Sequence, residues 1–288
     1  MSEARTIEGK TLSTARVAIL GLGLMGGSLA IALRGHCSAI LGSDPASDTL
    51  LQALGRGIVD QASTDPSQIL PQADLVVLAA PVLEICKLLG NLERLHQGSA
   101  VVLDLGSTKR QIVAAMETLP ERFDPIGGHP ICGKERPSLD NADPLIFREA
   151  VFVLTPLERT SERARTLAQE LVLALGSHPL WLQAEEHDRL IAFTSHLPYI
   201  LANVLALSTS LECSALIGPG FRSTSRLAAS FSPMMLDVLQ TNRQNILEAL
   251  GDFRIRLNQF EDLLAQEKLS ELSDLLADAT LHRQSLTL

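Results

Sequence analysis

Val17-Ala18-Ile19-Leu20 runs directly into Gly21-Leu22-Gly23-Leu24-Met25-Gly26, and an apolar stretch of helical character follows from Ser28 to Leu33. Read as strand, glycine turn and helix, this order decides the fold. A bare G-x-G-x-x-G is a weak signal. Set between a buried strand and a helix start, it cradles a pyrophosphate, because free backbone N–H groups and the helix dipole both favour an anion there. Gly21 serves the tight turn, Gly23 lets the backbone approach the phosphates, and Gly26 lets the helix pack closely on the strand, with Leu24 and Met25 completing the predicted contact set. A second strand, Ala39-Ile40-Leu41-Gly42, ends at Asp44, eighteen positions after Gly26, where a carboxylate can accept hydrogen bonds from an adenosine ribose. The same carboxylate would repel the 2′-phosphate of NADP, and Pro45-Ala46-Ser47 brings no arginine to bind one, so the predicted cofactor is NAD. The competing reading of Asp44 is a turn residue ahead of Pro45.

Composition narrows the class. With 288 residues, 46% of them hydrophobic, the chain can bury one large or two moderate cores, and two domains are expected. A net charge of -9 and a pI near 5.3 argue against nucleic acid or an anionic membrane as the main partner. Cys37, Cys86, Cys132 and Cys213 are scattered and form no C-x-x-C, so no metal site and no disulfide framework is expected. A reducing cytoplasm fits that usage. Met1 to Ala15 is polar, and no cleavable signal is read there. Ile191 to Leu211 carries no Asp, Glu, Lys or Arg over about the length of a bilayer span. It does contain His196, Pro198, Tyr199 and Asn203, and a helix apolar on most sides also suits a buried bundle or dimer core, so membrane insertion is not expected.

Alternating strand and helix signals continue past the first unit. Leu75 to Ala80 reads as a buried strand closed by Pro81, which joins the predicted cofactor contacts. Ala100 to Leu105 repeats the pattern and ends in Gly106-Ser107-Thr108-Lys109. Residues 123–133 read as a short apolar segment with a loop, Gly127-Gly128-His129-Pro130, and Ala150 to Leu154 and Pro179 to Leu182 read as later strands. This is an α/β pattern with a mostly parallel sheet. Near Gln183 it changes: Ile246, Leu250, Phe253, Leu257, Phe260 and Leu264 step by three or four, as on a helix face. The predicted division is a nucleotide-binding domain over 13–182 and an all-helical domain over 183–288. The second is apolar enough to pair with another copy of itself, a homodimer, unless its helices simply pack on the first domain.

Ligands of open α/β sheets sit beyond the carboxyl ends of the strands. Ser107 and Lys109 follow such an end, so their polar atoms can face the nicotinamide end of the cleft and Ser107 joins the predicted cofactor contacts, although a serine there also reads as a helix N-cap. His129 lies between two glycines and a proline that would present its ring in a fixed direction, and an imidazole suits proton removal from an alcohol during hydride transfer. His187 and His196 flank the start of the apolar helix, where satisfied core histidines are the common case. Arg222 and Arg226 stand in Gly218-Pro219-Gly220-Phe221-Arg222-Ser223-Thr224-Ser225-Arg226, and guanidinium is the natural fork for a small carboxylate.

With these pieces in order, the chain resembles the prephenate and arogenate dehydrogenases of the TyrA family, from Arg16 to about Leu264. The resemblance is carried by Gly-Leu-Gly-Leu-Met-Gly-Gly-Ser-Leu, Asp-Leu-Gly-Ser-Thr-Lys, Gly-Gly-His-Pro-Ile-Cys-Gly, Ser-His-Leu-Pro and Gly-Phe-Arg-Ser-Thr-Ser-Arg-Leu-Ala. It implies an N-terminal Rossmann-type dinucleotide-binding domain followed by an all-helical dimerisation domain, and NAD-dependent oxidative decarboxylation of a cyclohexadienol in tyrosine biosynthesis. By motif, His129 would deprotonate the ring hydroxyl, Ser107 would hydrogen-bond it, and Arg226 would bind a substrate carboxylate, with Arg222 the next candidate. Glu135 matches an acidic position near the substrate side chain, and His187 and His196 match further cleft histidines. Tyr199 stands where relatives usually carry a second histidine. Phe231-Ser232-Pro233-Met234-Met235-Leu236 replaces an Asp-Pro-x-Met-Trp-Arg segment, so a pocket aromatic is missing. The length leaves no expected room for a regulatory or a fused mutase domain.

Three alternatives remain at this point. Arogenate could replace prephenate as substrate. A β-hydroxyacid dehydrogenase shares the opening fingerprint but needs a lysine in its helical domain, and residues 183–267 contain none. A non-catalytic NAD-binding sensor would leave His129 and Ser107 as structural residues.

Overall fold

The computed structural model describes residues 11–134, 138–229 and 233–286. Eight strands form one sheet: β1 Arg16–Leu20, β2 Ala39–Ser43, β3 Gln61–Ser63, β4 Leu75–Leu78, β5 Ala100–Asp104, β6 Phe123–Pro130, β7 Val151–Pro156 and β8 His178–Trp181. Their spatial order is β3-β2-β1-β4-β5-β6-β7-β8, and every pairing is parallel except β6 with β7. The order reverses between β1 and β4, which creates the crevice where a doubly wound sheet receives its ligand. Helices α1 Leu24–Ala32, α2 Ser47–Gly55, α3 Val82–Leu95, α4 Arg110–Glu117 and α5 Glu162–Ala174 alternate with the strands.

The central strands read as unbroken apolar runs because both faces are covered. Val17 and Ile19 of β1 join a core with Leu29 of α1, Leu50 of α2 and Leu167 of α5. Ala18 and Leu20, the alternate positions, join a second core with Ile85 and Leu89 of α3 and Ile112 and Met116 of α4. Each strand thus seals two layers through its period of two.

After β8 the chain is helical: α6 Ala184–Ile191, α7 Leu197–Ser208, α8 Pro219–Thr224, α9 Pro233–Thr241, α10 Arg243–Ala265 and α11 Leu269–Ser285. Between α6 and α7, Ala192–His196 forms a π turn. Pro198 enters α7 at its start; it lacks an N–H and crowds the preceding turn, and a widened turn relieves both. The sheet ends at Trp181, beside the expected boundary, but compactness divides the chain later. Met1–Asn242 form one unit, so α6 to α9 belong with the sheet, and Arg243–Leu288 form a second unit of two long helices. The 25-residue helical run Ala184–Ser208 is long and apolar enough to cross a membrane by length and composition, and 28% of its most apolar window is buried.

Gly127-Gly128-His129-Pro130 is not a loop but the end of β6, paired with β7 through Gly128 opposite Leu154 and His129 opposite Val153. The glycines answer crowding and not an unusual backbone path: a Cβ on Gly128 would lie 2.6 Å from the Asp104 carbonyl oxygen, and one on Gly127 3.1 Å from Thr155 Cβ.

Candidate active site

The nucleotide cradle is built by β1, α1 and the end of β4. Gly21 has φ +95°, and a Cβ there would lie 2.3 Å from the Ala79 carbonyl oxygen; a Cβ on Gly26 would lie 1.9 Å from that of Gly21. Those two glycines are required by the protein itself. Gly23 is different: its φ is -71°, and no atom lies within 4 Å of where its Cβ would be. No non-neighbouring atom of the protein fills that space, which lies at the start of α1. Leu24, Met25 and Gly26 begin α1, and the first helical bond runs from the Gly27 amide to the Gly23 carbonyl at 2.9 Å. The amides before it are left for an anion. Asp44, half-buried at the end of β2, accepts from the Leu22 amide and from the Ala46 amide, each at 2.9 Å. Pro81 stands exposed at the head of α3, where β4 ends. This cradle fits a dinucleotide.

Across the crevice, β5 and β6 bring the catalytic candidates together. Ser107 is partly exposed beyond β5. The N-cap of α4 is Lys109 and not Ser107, so the capping role considered for the serine falls to another group: Asp188 of α6, which accepts from the Lys109 amide at 2.7 Å and from the Arg110 amide at 3.0 Å. Lys109 does not face the cleft. It is fully buried, its Nζ donates to Asp104 and to the Gly128 carbonyl at 2.5 Å, and Asp104 also accepts from the Gly128 amide at 3.0 Å. This buried pair clamps the end of β6 to the end of β5.

His129 therefore projects from a pinned strand. Its Nδ1 lies 2.9 Å from His187 Nε2, the rings meeting edge to face, and His187 Nδ1 lies 2.8 Å from Asp188 Oδ1. Burial first, then His187, Lys109 and His196, holds the His129 pKa well below the ordinary histidine value. His196, at the end of the π turn and 1% exposed, has Nδ1 3.2 Å from the Asn242 amide nitrogen, which also donates to the Asp188 carbonyl at 2.7 Å. Burial pushes its pKa down to about 4.

The expected cleft histidines thus gather around His129, but His187 has both ring nitrogens engaged by protein and is 2% exposed. It stands behind His129, between that ring and Asp188. Tyr199 is half-buried on the first turn of α7. Arg222 is exposed on α8 and donates to the Ile217 carbonyl at 3.4 Å. Arg226 is exposed at the start of a 3-10 turn, Arg226–Ala229, that packs on α7. Glu135, Phe231 and Ser232 lie outside the described residues. Among those described, no group of three or more His, Cys, Asp and Glu could hold a metal ion. Sequence reading missed Asp104, Asp188 and Asn242. The available signal for Asp188 was its place four residues after Ala184, on the face that also carries His187 and Ile191.

Known proteins resemble this chain over both its parts. Residues 29–180 match the family model described as prephenate dehydrogenase, nucleotide-binding domain, and residues 183–278 match prephenate dehydrogenase, dimerization domain. A prephenate dehydrogenase of Bacillus subtilis is 29% identical over 94% of this chain and 76% of its own length. The crystal structure of the Aquifex aeolicus prephenate dehydrogenase with hydroxyphenyl propionate and NAD+ superposes with a TM-score of 0.88 at 28% identity, covering 96% of this chain and all of that one. A Synechocystis arogenate dehydrogenase superposes with a TM-score of 0.83, also at 28% identity, over 94% of this chain and all of that one.

Proposed function

This chain belongs to the prephenate dehydrogenase family, and from that premise we propose that it oxidises and decarboxylates prephenate to 4-hydroxyphenylpyruvate, with His129 as the base. The observation that carries the role of His129 is its ring on the pinned end of β6: Nδ1 is held by His187, which leaves Nε2 for a ligand. The depressed pKa keeps the ring neutral at pH 7, as a proton acceptor must be. Ser107, partly exposed beyond the neighbouring β5, hydrogen-bonds the same ring hydroxyl and helps aim it. Bound NAD, cradled by Gly21, Gly23, Leu24, Met25, Gly26, Asp44 and Pro81, supplies the acceptor for the hydride that leaves the carbinol carbon. Loss of carbon dioxide makes the ring aromatic and drives the step forward.

Arg226 holds a substrate carboxylate, with Arg222 as its reserve. A carboxylate that departs as neutral gas gains nothing extra from a cation in the transition state, so this arginine serves binding. Glu135, His196 and Tyr199 are assigned to the substrate side chain. The division into a nucleotide-binding domain over 13–182 and a helical substrate and dimerisation domain over 183–288 follows the two family matches. A homodimer through the helical domain is supported by the description of that second match and by exposed Leu257, Leu264 and Leu276 on α10 and α11. The compartment is the cytoplasm, and neither nucleic acid nor membrane is a partner, in keeping with the charge of -9 and four scattered, unpaired cysteines.

The second reading, arogenate, is favoured by the Synechocystis neighbour. Steady-state reduction of NAD and NADP with each substrate separates the two. The expected result is the highest kcat/KM with prephenate and NAD. A preference for arogenate reverses the substrate assignment, and NAD binding without turnover of either leaves a sensor.

A further inference from the structure

The cluster behind His129 contains two buried groups to which the reaction above gives no task. Asp188 is 0% exposed and both its oxygens are engaged: Oδ1 by the Lys109 amide and His187 Nδ1, Oδ2 by the Arg110 amide. His187, 2% exposed, turns Nε2 toward His129 Nδ1. A carboxylate that takes backbone N–H groups through both oxygens is an acceptor only. His187 therefore donates from Nδ1, and its Nε2 is left as an acceptor. His129 in turn donates from Nδ1, so its Nε2 carries a lone pair. The tautomer required of the base is thereby dictated from two residues away.

Resting on the reading of His129 as the base, we propose that His187 and Asp188 are positioning residues that fix the His129 tautomer and draw the substrate proton inward. In the step, the substrate O–H bond breaks and its proton bonds to His129 Nε2. The proton on His129 Nδ1 passes to His187 Nε2, and the charge comes to rest on the His187 ring. One proton enters His129 and one leaves it, so His129 ends neutral. The charged groups around it explain the direction of transfer. Lys109, paired with Asp104 beneath β6, disfavours a cation on His129, His196 on the π turn is itself neutral, and the Asp188 carboxylate on α6 lies 2.8 Å from His187 Nδ1. Because Asp188 also caps α4, one carboxylate holds both the relay and the turn that presents Ser107.

Ring-nitrogen NMR of the NAD-loaded enzyme carrying 15N-histidine reads the tautomer directly. The expected form of His129 at neutral pH is the one protonated at Nδ1; protonation at Nε2 overturns the proposal. His187→Phe keeps a ring in place and leaves Asp188 capping α4. It should lower kcat by about tenfold or more while KM for prephenate stays within about twofold, and it should displace the acid limb of the pH profile of kcat/KM. His187→Gln retains an acceptor for His129 but cannot carry the charge, so it should recover only part of the loss. Unchanged kcat in His187→Phe, or a rise in KM alone, overturns the relay. Substantial turnover by His129→Asn would instead overturn the base assignment. Should His187→Phe fail to fold, the wild-type spectrum still decides.

Discussion

Asp44 carries two demands at once. Its oxygens already accept from the Leu22 and Ala46 amides, so it orders the glycine turn whether or not a ribose is present. Each carboxylate oxygen has a second lone pair, which leaves capacity for ribose hydroxyls. Asp44→Ser removes one turn acceptor and one negative charge, so KM should rise for NAD while the ratio of kcat/KM for NADP over NAD also rises. An unchanged ratio in steady-state assays would reduce Asp44 to a turn residue. Arg226→Ala tests binding against chemistry: losing the guanidinium that holds a carboxylate should weaken substrate binding. KM should climb steeply with kcat little changed and NAD affinity intact, and a near-normal KM would move the role to Arg222. These two residues stand out as candidates because their chemistry shows in local sequence. The role of Lys109 does not show there. Nothing in Gly-Ser-Thr-Lys reveals that the ammonium turns inward to Asp104, since that pairing depends on β6 arriving alongside. Asp188 was hidden for the same reason, its side-chain partners beyond α6 being the amides at the start of α4.

Among the elements, the fingerprint turn shows which glycines serve the fold and which serve the ligand. Gly26→Ala puts a Cβ against the Gly21 carbonyl, so the turn must open and both melting temperature and NAD affinity should fall. Gly23→Ala meets no protein atom and keeps an allowed φ, so thermal unfolding should be nearly unchanged while NAD affinity drops by about tenfold or more. Equal NAD binding by Gly23→Ala and wild type, read by calorimetry, would place the pyrophosphate elsewhere. The long apolar strands β1, β4 and β5 were readable from composition alone, because burial on both faces leaves unbroken Val, Leu and Ile. The three-residue β3, Gln-Ala-Ser, has no such signature and takes its extended form from pairing with β2. The end of β6 was misread because Gly-Gly-His-Pro has turn composition, and only the crowding by Asp104 and Thr155 explains its glycines.

At the scale of the whole molecule, the charged interior makes stability depend on pH. His196 is buried with its pKa pushed down to about 4, and burial also lowers His129 and His96. In the unfolded chain these rings titrate near 6.5, so below that pH the unfolded state binds more protons than the folded one. Stability is therefore fully present above about 6.5 and is lost as pH falls toward 4, with His196 alone contributing about 3 kcal/mol across that window. At the other end, burial raises the thiols of Cys37 and Cys132 to about 11, so stability is lost again as pH rises from about 9 through 11. Between those limits the curve should be flat. Denaturant unfolding at fixed protein concentration, which holds any association constant, measures it. Replacing His196 by Gln should flatten the acid limb, since an amide takes up no proton. An acid limb of undiminished slope in that variant would assign the linked proton to His129 or His96 instead.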